Sequence, residues 1–600
     1  MRTEIPTHPD RDLAGRVINK TMKAIFDGSI LYSLNYKYLN QKNLLDRYKF
    51  SSGTTDFTTS FAYGDLNKGE IPEAVYGVSL NNNLKLSYVY DKFARQNSRT
   101  LYTNNANITK YYTFRNGAEE NSTSYVVDSV TENGYTYNYS YDALGNIISY
   151  TKTNNSNNQV VESYVYRYDN KGQLVYAGTT DTNGTEYTYD ANGNILTKKN
   201  LSTNATVSYG YTDPTWADLL TSYNGQAISY DTIGNPLNYN NGSAMSFTWV
   251  DGRNLATVTK NGSSFSYSYD AGSNRISKLI GDVSTQYMIF DGIMYGERKY
   301  DANGETVIYY LYDENNNKYG FVYNGKYYYY QINLQGDVIG IYDENGQLVV
   351  QYAYDVWGKP LSVTGTLANT IGQINPIRYR GYYYDSETGF YYLQSRYYDP
   401  ETGRFINADS VISGNNRSVQ GFNMFTYCNN NPVNMSDNTG NWPKWAIKIA
   451  DTAKKIAKTI SQVAKSFVKE SYYLSNTTPN RRPNTGKPGS TYTAPNGDKR
   501  TYGPDGKPTK DWDHDDHGVP NKHPHDSEGG HTHDWENGIR GPAHIEQIQP
   551  VLGVALVTVC TVGMAFVVAN DATVIGFIDD FLIGPLGTGI GSGMIMIFGR

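Results

Sequence analysis

The chain has 600 residues, enough for several domains, and tyrosine dominates it: 58 Tyr against 19 Phe and 7 Trp, with 57 Gly and only 18% charged residues. Soluble domains usually carry about 25% charge and build aliphatic cores, so aromatic rings must supply much of the buried area here. A net charge of −6 argues against a global attraction to nucleic acid, and the two distant cysteines, Cys428 and Cys560, argue against a disulfide framework.

The N-terminal stretch MRTEIPTHPDRDLAGRV has no apolar run of the kind a secretory signal needs. It reads as repeat-like from the start, so the expectation is a piece of something larger; the alternative is a complete cytoplasmic protein. Residues 1–130 alternate aromatics, as in Phe57-Thr-Thr-Ser-Phe61-Ala-Tyr63, and are expected to be eroded copies of a repeat that is clearer from Tyr141 onward. There a phrase recurs: Tyr-Asp, two residues, Gly, Asn or Gln, often an apolar residue. It stands at Tyr141-Asp142-Ala-Leu-Gly145-Asn146-Ile147 and returns at Tyr168–Leu174, Tyr189–Ile195 and Tyr230–Asn235. Worn copies lie at Trp249–Leu255 and Tyr269–Arg275, and hairpins such as Ile341–Leu348 continue the pattern.

One unit is readable physically. A strand such as Tyr135-Thr-Tyr137-Asn-Tyr139-Ser-Tyr141 puts its rings on one face by period two. Asp opens a turn through its side chain, and Gly and Asn accept positive φ. A lone hairpin cannot bury that aromatic face, so neighbours must stack.

The stretch Tyr379-Arg380-Gly381-Tyr382-Tyr383-Tyr384-Asp385, continuing through Gly389-Phe390-Tyr391-Tyr392 and Arg396-Tyr397-Tyr398-Asp399-Pro400 to Gly403-Arg404-Phe405-Ile406-Asn407-Ala408-Asp409, resembles the RHS repeat-associated core. Tyr427 to Pro443, with Asn429-Asn-Asn431-Pro432, Asp437-Asn438-Thr-Gly440 and Asn441-Trp442, resembles the end of that core. With the repeats, the likeness to RHS/YD-repeat polymorphic toxins covers about residues 1–443. It implies a mainly β fold: a spiralling β-hairpin YD-repeat shell over 1–340, like that of teneurins, closed by an RHS core plug over 341–443. It also implies a C-terminal effector carried within the shell, a cognate immunity protein as partner, and delivery by secretion or at the cell surface. Several members of the family have an aspartyl autoprotease in the core that cuts after an Asp-Pro-x-Gly-Leu-like sequence.

Such proteolysis needs two close carboxylates sharing a proton. The motif nominates Asp399 and Asp409, with Arg396 or Arg404 to orient them, and a cleavage region at Asp437, Gly440, Asn441 and Trp442. The alternative is that Asp399 and Asp409 are turn residues. The chain departs from the pattern where Asn438 replaces the usual Pro and Asn441 the usual Leu.

Composition changes after residue 442, and a small helical and irregular C-terminal region is expected, with one or two hydrophobic helices. Residues 444–489 are read as an amphipathic lysine-rich helix, with an apolar stripe from Ile447 to Phe467, succeeded by a Pro/Asn/Gly linker. Residues 490–545 hold His514, His517, His523, His525, His531, His533 and His544 among aspartates that include Asp513. The first six, with Asp513, are candidate ligands for zinc or a similar divalent metal, which could activate water for phosphodiester cleavage and so engage nucleic acid. A solvated linker or a pH switch remain alternatives. In the tail, 546–600, Val551–Ala569 is an apolar run at the short end of membrane-spanning length and Phe581–Gly599 a marginal one; the alternative is a buried, packed helix pair. The functional alternatives are therefore a toxin shell with a nuclease effector, the same shell with a membrane-inserting or pore-forming tail, and a wall-associated structural protein without enzymatic activity.

Overall fold

A computed structural model describes residues 4–6, 9–24, 27–39, 43–117, 122–410, 422–441, 444–445, 487–493, 498–513, 531–536 and 539–544. The chain divides into two units, one of Met1–Asp142 with Asn146–Ala457, the other of Ala143–Gly145 with Lys458–Arg600.

Among the described residues of the first unit, two large antiparallel sheets hold nearly every strand. Val17–Ala24 to Gln226–Ala227 form a continuous meander within a 20-stranded sheet, with Glu4–Pro6 and Asp10–Arg11 both paired to Val17–Ala24. Ser229–Tyr230 to Pro360–Thr364 form a second meander of 14 strands. The mainly β expectation holds; the described α-helix is a single turn at Ile371–Ile374. The meander runs on to Thr364, so the sheet and the core segment overlap over 341–364.

The expected alternation is present: in Tyr135–Tyr141 the rings of Tyr137 and Tyr139 are buried while Asn138 and Ser140 are exposed. The buried rings join the two sheets, with Tyr32 against Phe290 and Phe57 against Tyr309, each at 5.1 Å between ring centroids. The core segment then supplies a tyrosine wedge. Tyr391, Tyr398 and Tyr427 are fully buried, and Tyr398 stacks on Tyr427 at 3.9 Å.

The repeated phrase has one local structure. In the copy at Asp190, one carboxylate oxygen accepts the Asn192 and Asn194 N–H groups at 2.9 and 2.8 Å, and the other accepts the Asn194 side-chain amide at 2.9 Å. Gly193 supplies φ +80°. The tyrosine before each Asp reaches back to the preceding hairpin. Tyr141, Tyr168 and Tyr189 donate to the carbonyls of Val127, Ile147 and Leu174 at 2.7, 2.7 and 2.6 Å. Phe would bury a similar area but forfeit these bonds between hairpins. The eroded N-terminal copies use the same turn with another donor: Asp91 accepts Phe93 N, Arg95 N and Arg95 Nε at 2.9, 3.0 and 2.8 Å.

In the second unit, five short strands from Thr491–Thr493 to Ile539–His544 form one antiparallel sheet. The expected helix from 444 is corrected at its start, because Lys444–Trp445 are extended and pair with Met435–Ser436. The rest of that segment and both apolar runs of the tail lie outside the described residues. Among the described residues no helix is long and apolar enough to cross a membrane.

Candidate cleavage centre

The candidate centre is built around Arg396, which enters the short strand Tyr397–Asp399. Its side chain is 5% exposed, and its guanidinium lies over the Phe405 ring at 3.6 Å. One terminal nitrogen stands 3.0 Å from Asp409 Oδ2 and 3.7 Å from Asp437 Oδ2. The other donates to the Met424 carbonyl at 2.9 Å, and Nε donates to the Gly440 carbonyl. Burial pulls the guanidinium down to about 10, against the opposing pull of Asp409 and Asp437.

The backbone places both acids. Asp409 N–H donates to Met424 O at 2.9 Å, and Asp437 N–H donates to the Tyr382 hydroxyl at 2.7 Å. Ser395 holds the segment after Asp437 by donating from N and Oγ to Thr439 O at 3.2 and 2.7 Å. Gly440 has φ +73°, and a Cβ there would meet Leu393 O and Ser395 Oγ, each at 2.7 Å. The segment expected to hold the cut therefore lies along the Ser395–Arg396 main chain, with the Gly440 carbonyl accepting from a buried cation. Asn441 is exposed, and Trp442 lies outside the described residues.

The pairing differs from the one the motif nominates. Asp399 closes a turn by accepting Glu401 N–H at 2.9 Å, and its other oxygen accepts from Tyr239 Oη and Asn241 Nδ2 at 2.8 and 3.0 Å. Burial pushes its carboxyl up. Arg404 donates to Asp218 O at 2.9 Å and Asn194 Oδ1 at 3.3 Å. Asp399 and Arg404 thus tie the core segment to the sheets. The acid that meets Asp409 at Arg396 is Asp437, which the sequence offers only as part of the cut region. Its Asp-x-x-Gly phrase looks like one more turn, which hides it.

In the second unit, Arg500 holds Asp511 by two bonds of 2.6 and 2.7 Å. On the facing strand His533 Nε2 comes to 3.9 Å from Asp513 Oδ2, both side chains being buried. His531 is opposite Asp513 in the register. Of the expected ligands, His514, His517, His523 and His525 lie outside the described residues. Among the described residues no group of three or more ligating side chains is gathered.

Comparison with known proteins places this architecture. The family model described as Teneurin YD-shell matches residues 79–433. The chain belongs to the teneurin YD-shell family. Over 286 residues this YD-shell chain is 36% identical to the tRNA3(Ser)-specific nuclease WapA of Bacillus spizizenii, a match covering 46% of the chain and 12% of that protein. Over 385 residues it is 26% identical to the toxin subunit YenC1 of Yersinia entomophaga, covering 54% of the chain and 39% of that subunit. The Photorhabdus luminescens Tc holotoxin pore shares the fold, with a TM-score of 0.57 at 16% identity over 74% of this chain and 23% of that one. The YD-shell chain thus spans a small part of the length of such relatives.

Proposed function

We propose that this YD-shell is part of a delivered RHS polymorphic toxin, houses an effector carried after the shell, and cuts itself free of it. The observation that carries the reading is the convergence of Asp409 and Asp437 on Arg396, beside the Gly440 carbonyl that the same guanidinium polarises. In hydrolysis, one carboxylate takes a proton from water as the water oxygen attacks the carbonyl carbon. The other carboxyl gives its proton to the leaving nitrogen as the C–N bond breaks, leaving a new carboxylate and a new amine. Arg396 stabilises the oxyanion between these steps. Mass spectrometry of the purified full chain tests this. A fragment beginning at Asn441 is expected, lost in Asp409→Asn and Asp437→Asn. A wild-type chain that stays intact on incubation refutes it.

For the effector we favour a metal-assisted phosphodiesterase acting on nucleic acid, restrained in the producing cell by an immunity protein. Support comes from the buried Asp513–His533 approach beside a histidine-rich sequence. It also comes from the nuclease named among the relatives. Plasma metal analysis and RNA and DNA cleavage by residues 443–600 test it; no bound metal and no cleavage would sink it. The apolar runs at 551–569 and 581–599 support a second reading, insertion in a target membrane, for which dye release from liposomes is the test.

A further inference from the structure

The two acids of the cleavage centre stand on separate segments, and each segment is pinned to a different turn of the sheets. Asp409 follows Ala408, whose N–H donates to Gly234 O at 3.1 Å. Arg253 Nη1 donates to the Ala408 carbonyl at 3.0 Å and to Ile233 O at 2.7 Å. The approach is close enough that a Cβ on Gly234 would lie 2.9 Å from the Ala408 Cβ. Asp437 follows Asn434 by three residues. Asn434 Oδ1 accepts Ile147 N–H at 2.8 Å, and its Nδ2 donates to Tyr168 Oη at 2.9 Å and Asn146 Oδ1 at 3.4 Å.

Further asparagines of the core segment repeat the contact. Asn431 donates to Asn146 Oδ1 at 2.9 Å, Asn430 to Gln173 Oε1 at 3.0 Å, and Asn423 to Asn194 Oδ1 at 2.8 Å. The residues met are the last positions of three successive Asp-x-x-Gly-Asn/Gln turns. Closing such a turn needs only a donor there, and Arg95 does it by giving Nε to Asp91. Arginine has no acceptor to offer a second partner, whereas Asn and Gln keep a carbonyl oxygen free after their amide is spent on the turn. The amide at these three turns is thus accounted for by the core segment, which reads it, and not by the turn.

We propose that the sheets template the cutting centre: Arg253, Asn146 and Asn434 are positioning residues that bring Asp409 and Asp437 to Arg396 only once the turns at 142–146 and 231–235 are formed. The inference rests on the self-cleavage reading. The Asn146–Asn434 contact spans 288 residues, so it closes only after the intervening strands have formed. A misplacement of about 1 Å in such a centre costs on the order of a hundredfold in rate. Cutting therefore waits for a finished shell, and an unfinished one keeps its effector attached.

The test tracks the appearance of the C-terminal fragment from the full chain after refolding, across pH, beside thermal unfolding of each variant. Arg253→Met and Asn434→Ala are expected to slow the cut roughly tenfold to a hundredfold with the pH profile keeping its shape. Arg253→Met is expected to unfold with the wild type, since Arg253 is only partly buried. Arg253→Lys restores most of the rate, because a Lys Nζ can still donate to the Ala408 carbonyl. A wild type that is cut, is silenced by Asp409→Asn, and is indifferent to Arg253→Met and Asn434→Ala overturns this inference alone. A wild type that is not cut, or Asp409→Asn cut at the wild-type rate, overturns the cleavage reading and this inference with it. A loss of rate in step with a loss of melting temperature in Arg253→Met assigns that residue to folding and overturns its positioning role.

Discussion

Removing Asp385 should weaken the tie between core segment and sheets more than losing any single surface contact. Arg275, at the start of the strand Arg275–Ile280, meets Asp385 of the strand Tyr383–Asp385 through bonds of 2.6 and 3.1 Å, and both side chains are 0% exposed. Lys278 Nζ adds a bond of 3.0 Å to Asp385 and another of 3.0 Å to Glu387. Five tyrosine rings surround the guanidinium, Tyr392 closest at 4.3 Å. Burial alone would push the Asp385 carboxyl up, and Arg275 and Lys278 more than reverse it. Asp385→Leu strands a buried guanidinium, which costs about 3–5 kcal/mol. At about 2 °C per kcal/mol, the low end for large domains, the melting temperature falls by about 6–10 °C. Adding Arg275→Met removes the orphaned charge, and a buried ion pair replaced by apolar groups of similar volume is often neutral. The double variant should recover most of the loss while Lys278 keeps Glu387. Thermal unfolding of the full chain by circular dichroism reads both. A single variant that melts with the wild type, or a double variant that melts below the single, refutes the reasoning.

Three further outcomes are expected. Asp399→Asn leaves the cut proceeding, whereas Asp409→Asn and Asp437→Asn stop it, as fragment yield shows; the reverse pattern would restore the pair that the motif nominates. Tyr189→Phe removes the 2.6 Å donor to Leu174 O and costs about 0.5–1.5 kcal/mol, measured as a lower unfolding midpoint. Glu297 accepts from Tyr383 Oη at 2.8 Å, and burial raises its carboxyl above the ordinary value. A raised folded value means that its contribution to stability is full below the unfolded value and is lost as pH rises through the folded one. Glu297→Gln should therefore melt above the wild type at pH 7, with the gap closing near about pH 4; a constant gap would show that its charge is not the cause.

Much of the fold was legible because one residue type and one turn recur. Period-two tyrosines before Asp-x-x-Gly-Asn dictate hairpins that must stack, and they do. The N-terminal copy at Asp91 looked eroded because Arg95 fills the donor position that Asn holds elsewhere and Ala94, at φ +60°, stands where the other turns have Gly. The candidate cleavage centre was half legible. Arg396 and Asp409 stood in the motif, but Asp399 is an aspartate of the same motif and lies nearer in sequence, and nothing in a linear string separates a turn-closing aspartate from one facing Arg396.

The chain's own order of residues thus determined the local unit: aromatic strand, aspartate-closed turn, and a tyrosine hydroxyl for the hairpin before it. Those interactions span a few tens of residues at most, so neighbouring chemistry suffices to specify them. Which carboxylates meet was decided only by tertiary structure. Asp437 reaches Arg396 because Asn434 is seated on Asn146 and Ile147, nearly three hundred residues upstream, and because Ala408 is held by Gly234 and Arg253. Burial then sets the chemistry, raising Asp399 among the hydrogen-bond donors Tyr239 and Asn241 while Arg396 gathers the other two acids.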